Sequence, residues 1–214
     1  MFNIGTGPIP SFCNLKKKTL EEDWYEKHIY HPECLKAHNR RLKSGWFDKY
    51  APADAKGIDI GCGGHKIHPG YHSWDQIFDD GDATFMEGIE DESFEVVFSS
   101  HLLEHLFDPH EGLRNWFRIL KPGGHLIISI PHRDLYEKRK EPPPQWNTDH
   151  KYFWLPDKEE PPYTLSLKKV IEEAIPEGNL IDITVRDDYY DANGRGHAIG
   201  EFSIEAIIWK TLET

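Results

Sequence analysis

Residues 57–64, Gly-Ile-Asp-Ile-Gly-Cys-Gly-Gly, form a short apolar run that passes straight into a glycine-rich turn, with Asp59 set inside the run. Such a run bounded by glycine reads as a buried strand. Glycines 61, 63 and 64 permit positive φ and remove the Cβ atoms that would hold a ligand away from the backbone, the signature of a nucleotide-type cofactor turn. Asp59 is placed to orient the turn or to meet a cation. A dinucleotide turn would carry a third glycine at position 66 and open a helix at once, whereas Lys66, Ile67, His68 and Pro69 stand there, so the nicotinamide fingerprint fails. Packing alone also produces glycine-rich turns after strands, so the rest of the chain has to decide.

A chain of 214 residues can bury one substantial α/β core. With 37 acidic against 25 basic residues the net charge is −12, and a nucleic-acid backbone would be repelled unless a local patch reversed the field. No apolar run approaches the ~20 residues that span a bilayer, and Met1–Pro10 has no signal-peptide core, so a cytoplasmic protein without a membrane partner is expected. Cys13, Cys34 and Cys62 form no Cys-x-x-Cys pair and predict neither a disulfide framework nor a thiolate metal site.

Residues 1–18 read as a surface arm with a Lys16–Lys18 run, followed by a capping-box start at Thr19 and Glu22. A helix over Glu33–Tyr50 follows. Short apolar strands are predicted at Ile58–Ile60, Tyr71–Gln76, Ala83–Met86, Glu95–Ser100 and His125–Ile130, with a helix over Pro109–Leu120 that stops at Lys121-Pro122-Gly123-Gly124. Strands alternating with helices give a mostly parallel sheet with right-handed crossovers. Residues 132–165 contain six prolines and no clear period, which marks a lid or acceptor-binding insertion. A helix at Ser166–Ile175 and strands at Leu180–Tyr189 and Phe202–Trp209 complete the chain, the last two antiparallel because no helix joins them.

In order along the chain stand Ile58-Asp59-Ile60-Gly61-Cys62-Gly63-Gly64, Asp75, Asp82-Ala83, the run Phe94–Leu106 containing Ser99-Ser100-His101-Leu102-Leu103-Glu104-His105, and Leu120–Gly124. This series resembles the class I S-adenosylmethionine-dependent methyltransferases, in particular the type 11 methyltransferase-domain group, over residues 57–131. The resemblance implies a single Rossmann-like three-layer domain with a seven-stranded, mostly parallel sheet and an antiparallel last strand. It also implies S-adenosyl-L-methionine as cofactor, with S-adenosyl-L-homocysteine as product. Residue by residue, it places the methionine part against Gly61, Cys62 and Gly63, with Asp59 toward the ammonium group. Asp75 would hold the ribose hydroxyls, with Gln76 or Asp79 as substitutes. Asp82 and Ala83 would face adenine, and the carbonyls of Ser99 and Ser100 would lie near the sulfonium. Only 13 residues separate Gly61 from Asp75, and Pro69-Gly70 are among them, so the first crossover helix is expected to be short or replaced by a loop.

Methyl transfer from a sulfonium is an in-line displacement that needs positioning and a dry site more than a metal or a covalent intermediate. For a hydroxyl acceptor a base would take the proton, and histidine is the side chain tuned for it. His132, His150 and His101 are the candidate catalytic residues; Glu104, His105 and Asp149 lie in the same stretch, with Glu104 and His105 read as structural or cofactor-shielding. The His101/His105 pair lacks the ligand pattern of known zinc enzymes, and no metal is expected. Arg133, Tyr136, Trp146, Tyr152, Phe153 and Trp154 suit either a polar acceptor or a packed lid. Lys138–Lys140 read as a solvated face.

The leading reading is a methyltransferase for an oxygen or nitrogen of a small molecule or glycan, with a homodimer as the one assembly considered. A non-catalytic S-adenosylmethionine- or S-adenosylhomocysteine-binding regulatory subunit, an RNA or protein methyltransferase, and a nicotinamide oxidoreductase are the alternatives.

Overall fold

The computed structural model describes residues 37–63, 66–78, 80–191 and 200–212. The arm at residues 1–18, the capping box at Thr19, Cys13, Cys34, Gly64 and Asp79 lie outside them.

The strand predicted first is β1 (Gly57–Ile60), buried at every position. Burial on both faces is what a continuous apolar run in a parallel sheet implies. It lies between β2 (His72–Trp74) and β3 (Phe94–Ser100), parallel to both, with Ile60 in register with Trp74 and Ser99. Next to β3 runs β4 (Leu120–Pro131), also parallel. In an insertion beyond β4, β5 (Phe153–Leu155) and β6 (Thr164–Ser166) pair parallel as a small separate sheet. The main sheet ends with β7 (Gly178–Arg186) and β8 (Ser203–Lys210), in the order β2-β1-β3-β4-β8-β7; β8 is antiparallel to both β4 and β7. The antiparallel last strand is as expected.

Two cores lie on the two faces of this sheet. On one face, α1 (His38–Lys43) and α2 (Trp46–Tyr50) bring Trp46 and Phe47 against Val96, Phe98, Ile127 and Ile207. On the other, α3 (Pro109–Arg118) and α4 (Leu167–Ala174) contribute Leu113, Trp116, Phe117, Val170 and Ile171. Apolar positions three and four apart set the buried stripe of α3. Pro109 at its first turn and Asp108, whose carboxylate accepts from the Glu111 N–H at 2.9 Å, set its start. Ser166 caps α4 in the same way, accepting from the Lys169 N–H.

The structure departs from the sequence-based expectation in several places. The sheet has six strands among the described residues, not seven, because 83–86 is a turn. Asp82 closes that turn through its side chain, which accepts from Thr84 N–H at 2.7 Å, and through its carbonyl, which accepts from Phe85 and Met86. Met86 takes positive φ, which ends any extended run. The helix expected over 33–50 is split at Ser44-Gly45, where Gly45 adopts φ 68. Lys121–Gly124 belongs to the start of β4 and forms an irregularity against β3, instead of a connector. The strand expected at 71–76 stops at Trp74 and becomes a 3-10 turn at Gln76–Phe78. Between Ile60 and His72 no helix occurs among the described residues, in line with the short spacing.

Candidate active site

The carboxyl ends of β1, β2 and β3 open onto one cleft of about 350 Å³. Its first wall carries Gly61, Asp75, Gln76, Asp82 and Ala83, five of the residues singled out from sequence for the cofactor. The opposite wall carries Leu102, His105, Phe107, Asp149 and Lys151. A larger, more open hollow of about 690 Å³ lies along Lys56, Gly57, His72 and Phe94 and contains none of the other motif residues. The chemistry-bearing groups therefore converge on the smaller cleft.

The glycine turn is braced from three sides. Gly61 has φ +73, its N–H donates to the Trp74 carbonyl at 2.8 Å, and a Cβ there would stand 2.8 Å from Leu102. No side chain fits that position without displacing the second wall. Asp59 is buried beneath the turn and accepts from the Ile67 N–H at 2.6 Å. Burial pushes its carboxyl up to about 7, against the opposing pull of that amide and of Arg41. It does not line the cleft; the contact it makes is with the loop. Asp75 accepts from the Gly63 N–H at 2.7 Å and from the Ile77 N–H at 3.0 Å, and these two bonds fix its carboxylate at the rim of the cleft.

Across the floor, α3 fastens the turn that carries Asp82 and Ala83. The Trp116 indole donates to the Ala83 carbonyl at 2.8 Å and the Asn115 amide to the Thr84 carbonyl at 3.0 Å. Cys62 is a buried thiol. Ser99 donates its hydroxyl to the Ile60 carbonyl, while the buried Ser100 hydroxyl has no partner among the described residues.

The candidate bases separate into two places. His101, with positive φ at the end of β3, accepts or donates at Ser203 Oγ through Nε2 at 2.9 Å. His150, His105 and His101 all face Glu104, which is fully buried in the 3-10 turn Leu103–His105. Burial lowers the His105 imidazole below its ordinary value, and the neighbouring His150 lowers it further. His132 lies elsewhere: its ring accepts from the Asp134 N–H at 3.2 Å, its own N–H donates to Phe202, and it does not line the cleft. Burial lowers its pKa as well, opposed by Asp134.

Sequence reasoning left out Phe107, Lys151 and Glu137. Phe107 is 80% exposed at the cleft mouth, with the Lys151 ammonium 4.6 Å from its ring centroid. An aromatic directly after the Leu-Glu-His-Leu run was the available signal. Glu137 had none, because only the fold sets it beside His150.

A S-adenosylmethionine-type ligand fits this cleft. A carboxylate at the end of β2 suits a cis-diol, a turn with no side chain at Gly61 admits close backbone approach, and the fixed Asp82–Thr84 turn offers backbone groups to a purine edge. Residues 43–128 match the family described as a methyltransferase domain. This similarity, which covers less than half of the chain, implies S-adenosylmethionine as the cofactor. Over 55 residues the chain is 33% identical to a protein of Mycolicibacterium smegmatis named as a probable S-adenosylmethionine-dependent methyltransferase, covering 26% of this chain and 21% of that one. The match thus spans about a fifth of the curated relative's length. Among solved structures, a methyltransferase in complex with the Trm112 activator from Haloferax volcanii aligns with TM-score 0.51 at 13% identity, covering 87% of this chain and 97% of that one. A S-adenosylmethionine-dependent methyltransferase of Thermotoga maritima aligns with TM-score 0.50 at 16% identity, covering 88% and 96%. These two likenesses are of fold. Among the described residues no helix is long and apolar enough to cross a membrane.

Proposed function

We propose that this protein transfers a methyl group from S-adenosylmethionine to an oxygen or nitrogen of a small molecule or glycan. The observation that carries the reading is the single cleft with Asp75, Asp82 and Gly61 on one wall and His105, Asp149 and Lys151 on the other. When bound, S-adenosylmethionine supplies a methyl carbon already activated by a sulfonium. Asp75 would hold the sugar of that ligand and the Asp82–Thr84 turn the base, while Gly61 would let the chain approach at the reacting end. Leu102, Leu106 and Phe107 exclude water from the second wall. On that wall the acceptor would be held with its lone pair toward the methyl carbon, so that in-line displacement could form the new bond as the carbon–sulfur pair left to sulfur. The acceptor's proton passes to a base on this wall or to water.

The polar and aromatic mixture of Lys151, Asp149 and Phe107 supports a polar acceptor of modest size, and the net charge of −12 argues against a nucleic-acid strand. Thermal denaturation with S-adenosylmethionine, S-adenosylhomocysteine and NADH tests the reading. Both adenosyl ligands should raise the midpoint, by roughly 2.7 kcal/mol of stabilisation at a hundred times the dissociation constant, and NADH should not. No response to either adenosyl ligand would refute it.

A further inference from the structure

Glu104 is fully buried, and three imidazoles approach one of its oxygens, two from its own segment and one, His150, from the insertion. From Oε1, His101 Nδ1 stands at 3.7 Å, His150 Nε2 at 3.8 Å and His105 Nε2 at 3.9 Å. These separations are too long for hydrogen bonds. They are close to the edges of a coordination polyhedron, since ligand bonds of about 2.0–2.2 Å at tetrahedral angles set donor atoms about 3.4 Å apart. The ligand atoms of Glu104, His105 and His150 all lie within 4.8 Å of one another.

An independent feature is what the far side of each ring does. His150 Nδ1 is 2.5 Å from Glu137 Oε1 in a buried pair, and His105 Nδ1 is 3.0 Å from Asp149 Oδ2. An imidazole that donates Nδ1–H to a carboxylate presents the Nε2 lone pair on its other side, which is how metal-binding histidines are held. Here both Nε2 atoms are the ones turned toward Glu104. Two Nε2 lone pairs and one carboxylate oxygen thus converge as three donors.

The geometry points to a site for a divalent first-row transition cation, bound by Glu104 Oε1, His105 Nε2 and His150 Nε2. Two imidazoles and one carboxylate suit zinc, cobalt or iron better than magnesium or calcium, and three protein ligands leave coordination positions open. His105 and Asp149 line the cleft, so the open positions face the acceptor wall. There the cation binds an acceptor hydroxyl and lowers its pKa. The proton leaves to water, and the oxygen lone pair forms the bond to the methyl carbon as the carbon–sulfur pair goes to sulfur. That role rests on the methyltransferase reading, whereas the binding itself does not. Such a site runs against the sequence-based expectation of no metal.

The full, untagged chain, stripped of metal with a chelator, is titrated with Co²⁺ and followed by its visible absorption, then back-titrated with Zn²⁺. One equivalent of low-coordinate Co²⁺, displaced by Zn²⁺, is the expected result. His150→Ala and Glu104→Gln should weaken Co²⁺ binding by at least about 100-fold, and Glu137→Gln by about 10–100-fold. Each should keep its thermal shift with S-adenosylhomocysteine, which also shows that the variant is folded. Wild-type protein that takes up neither Co²⁺ nor Zn²⁺, or His150→Ala binding as wild type, would overturn the site. If a variant does not fold, the wild-type Co²⁺ spectrum decides. Loss of the site with an intact S-adenosylhomocysteine response leaves the methyltransferase reading standing. Co²⁺ binding with no such response sinks that reading and keeps the site.

Discussion

Glu205 and Glu104 are both fully buried acids, and their surroundings are opposite. Glu205, on β8, is met at hydrogen-bond distance by guanidinium groups: Arg41 at 2.7 Å, Arg186 at 3.1 Å and Arg40 at 3.3 Å. Arg40 continues to Glu201 at 2.8 Å, so the network ties α1 to the β8 side of the sheet. Guanidinium is charged at every relevant pH and forks to fit a carboxylate, which makes a closed structural joint. Glu104 is ringed by imidazoles at 3.7–3.9 Å, groups that carry charge only when protonated. In the first arrangement both carboxylate oxygens are met by fixed positive charges. The second is spaced for a cation and stands beside the cleft.

The largest effect should come from opening the closed joint. Glu205→Gln leaves buried Arg41 without its anionic partner and should destabilise the fold by about 3–5 kcal/mol, read from urea unfolding. A loss below about 1 kcal/mol would mean that the arginines find other partners and the joint is not structural.

Acid should act on the same acid next. Burial pushes the Glu205 carboxyl up, but the Arg41 and Arg40 charges overcome this and hold it at about 2, below its ordinary 4.5. A carboxyl depressed in the folded state contributes stability that is fully present above its unfolded pKa and is lost as pH falls toward its folded one. Stability should therefore fall by roughly 3 kcal/mol between about pH 4.5 and 2 through this group, and Glu205→Gln should flatten that part of the profile. An unchanged profile in the variant would assign the acid loss to other carboxyls.

Glu104→Gln should sharpen the contrast from the other side. Without added metal its unfolding free energy should stay within about 1.5 kcal/mol of wild type, because the imidazoles that face it carry no fixed charge. Destabilisation as large as that of Glu205→Gln would make Glu104 a structural acid and erase the distinction. The smallest effect belongs to Asp149, which is 65% exposed and holds His105 from the solvent side. Asp149→Asn should leave stability within about 0.5 kcal/mol, measurable by the same unfolding curves.

Local pattern made much of the fold legible. Ile58–Ile60 and the alternation that follows gave the parallel strands, the expected helices began at Pro109 and Ser166, and the missing helix between Leu180 and Trp209 gave the antiparallel pair. What failed was also local, since Ala83–Met86 has strand composition but Asp82 binds its own backbone and closes a turn first. In the site, Gly61, Asp75, Gln76, Asp82 and Ala83 lie within about twenty residues and follow the ends of β1 and β2, and the family resemblance assigned them to one cleft that the fold does form. His132 sat in the right stretch of sequence, yet neither it nor His101 nor His150 lines the cleft; of the histidines only His105 does.

By itself, the sequence determined the cofactor half of this protein: a glycine turn after a buried strand leaves the backbone few choices, and its neighbours in sequence are its neighbours in space. Only the tertiary structure decided the acceptor half. His150 and Glu137 reach Glu104 and His105 across 32 to 46 positions, through an insertion with no period, and which imidazole meets which carboxylate depends on how that insertion packs over the end of β3. Long-range contacts of this kind are fixed by shape and burial summed over the whole chain, and no short run of residues records them.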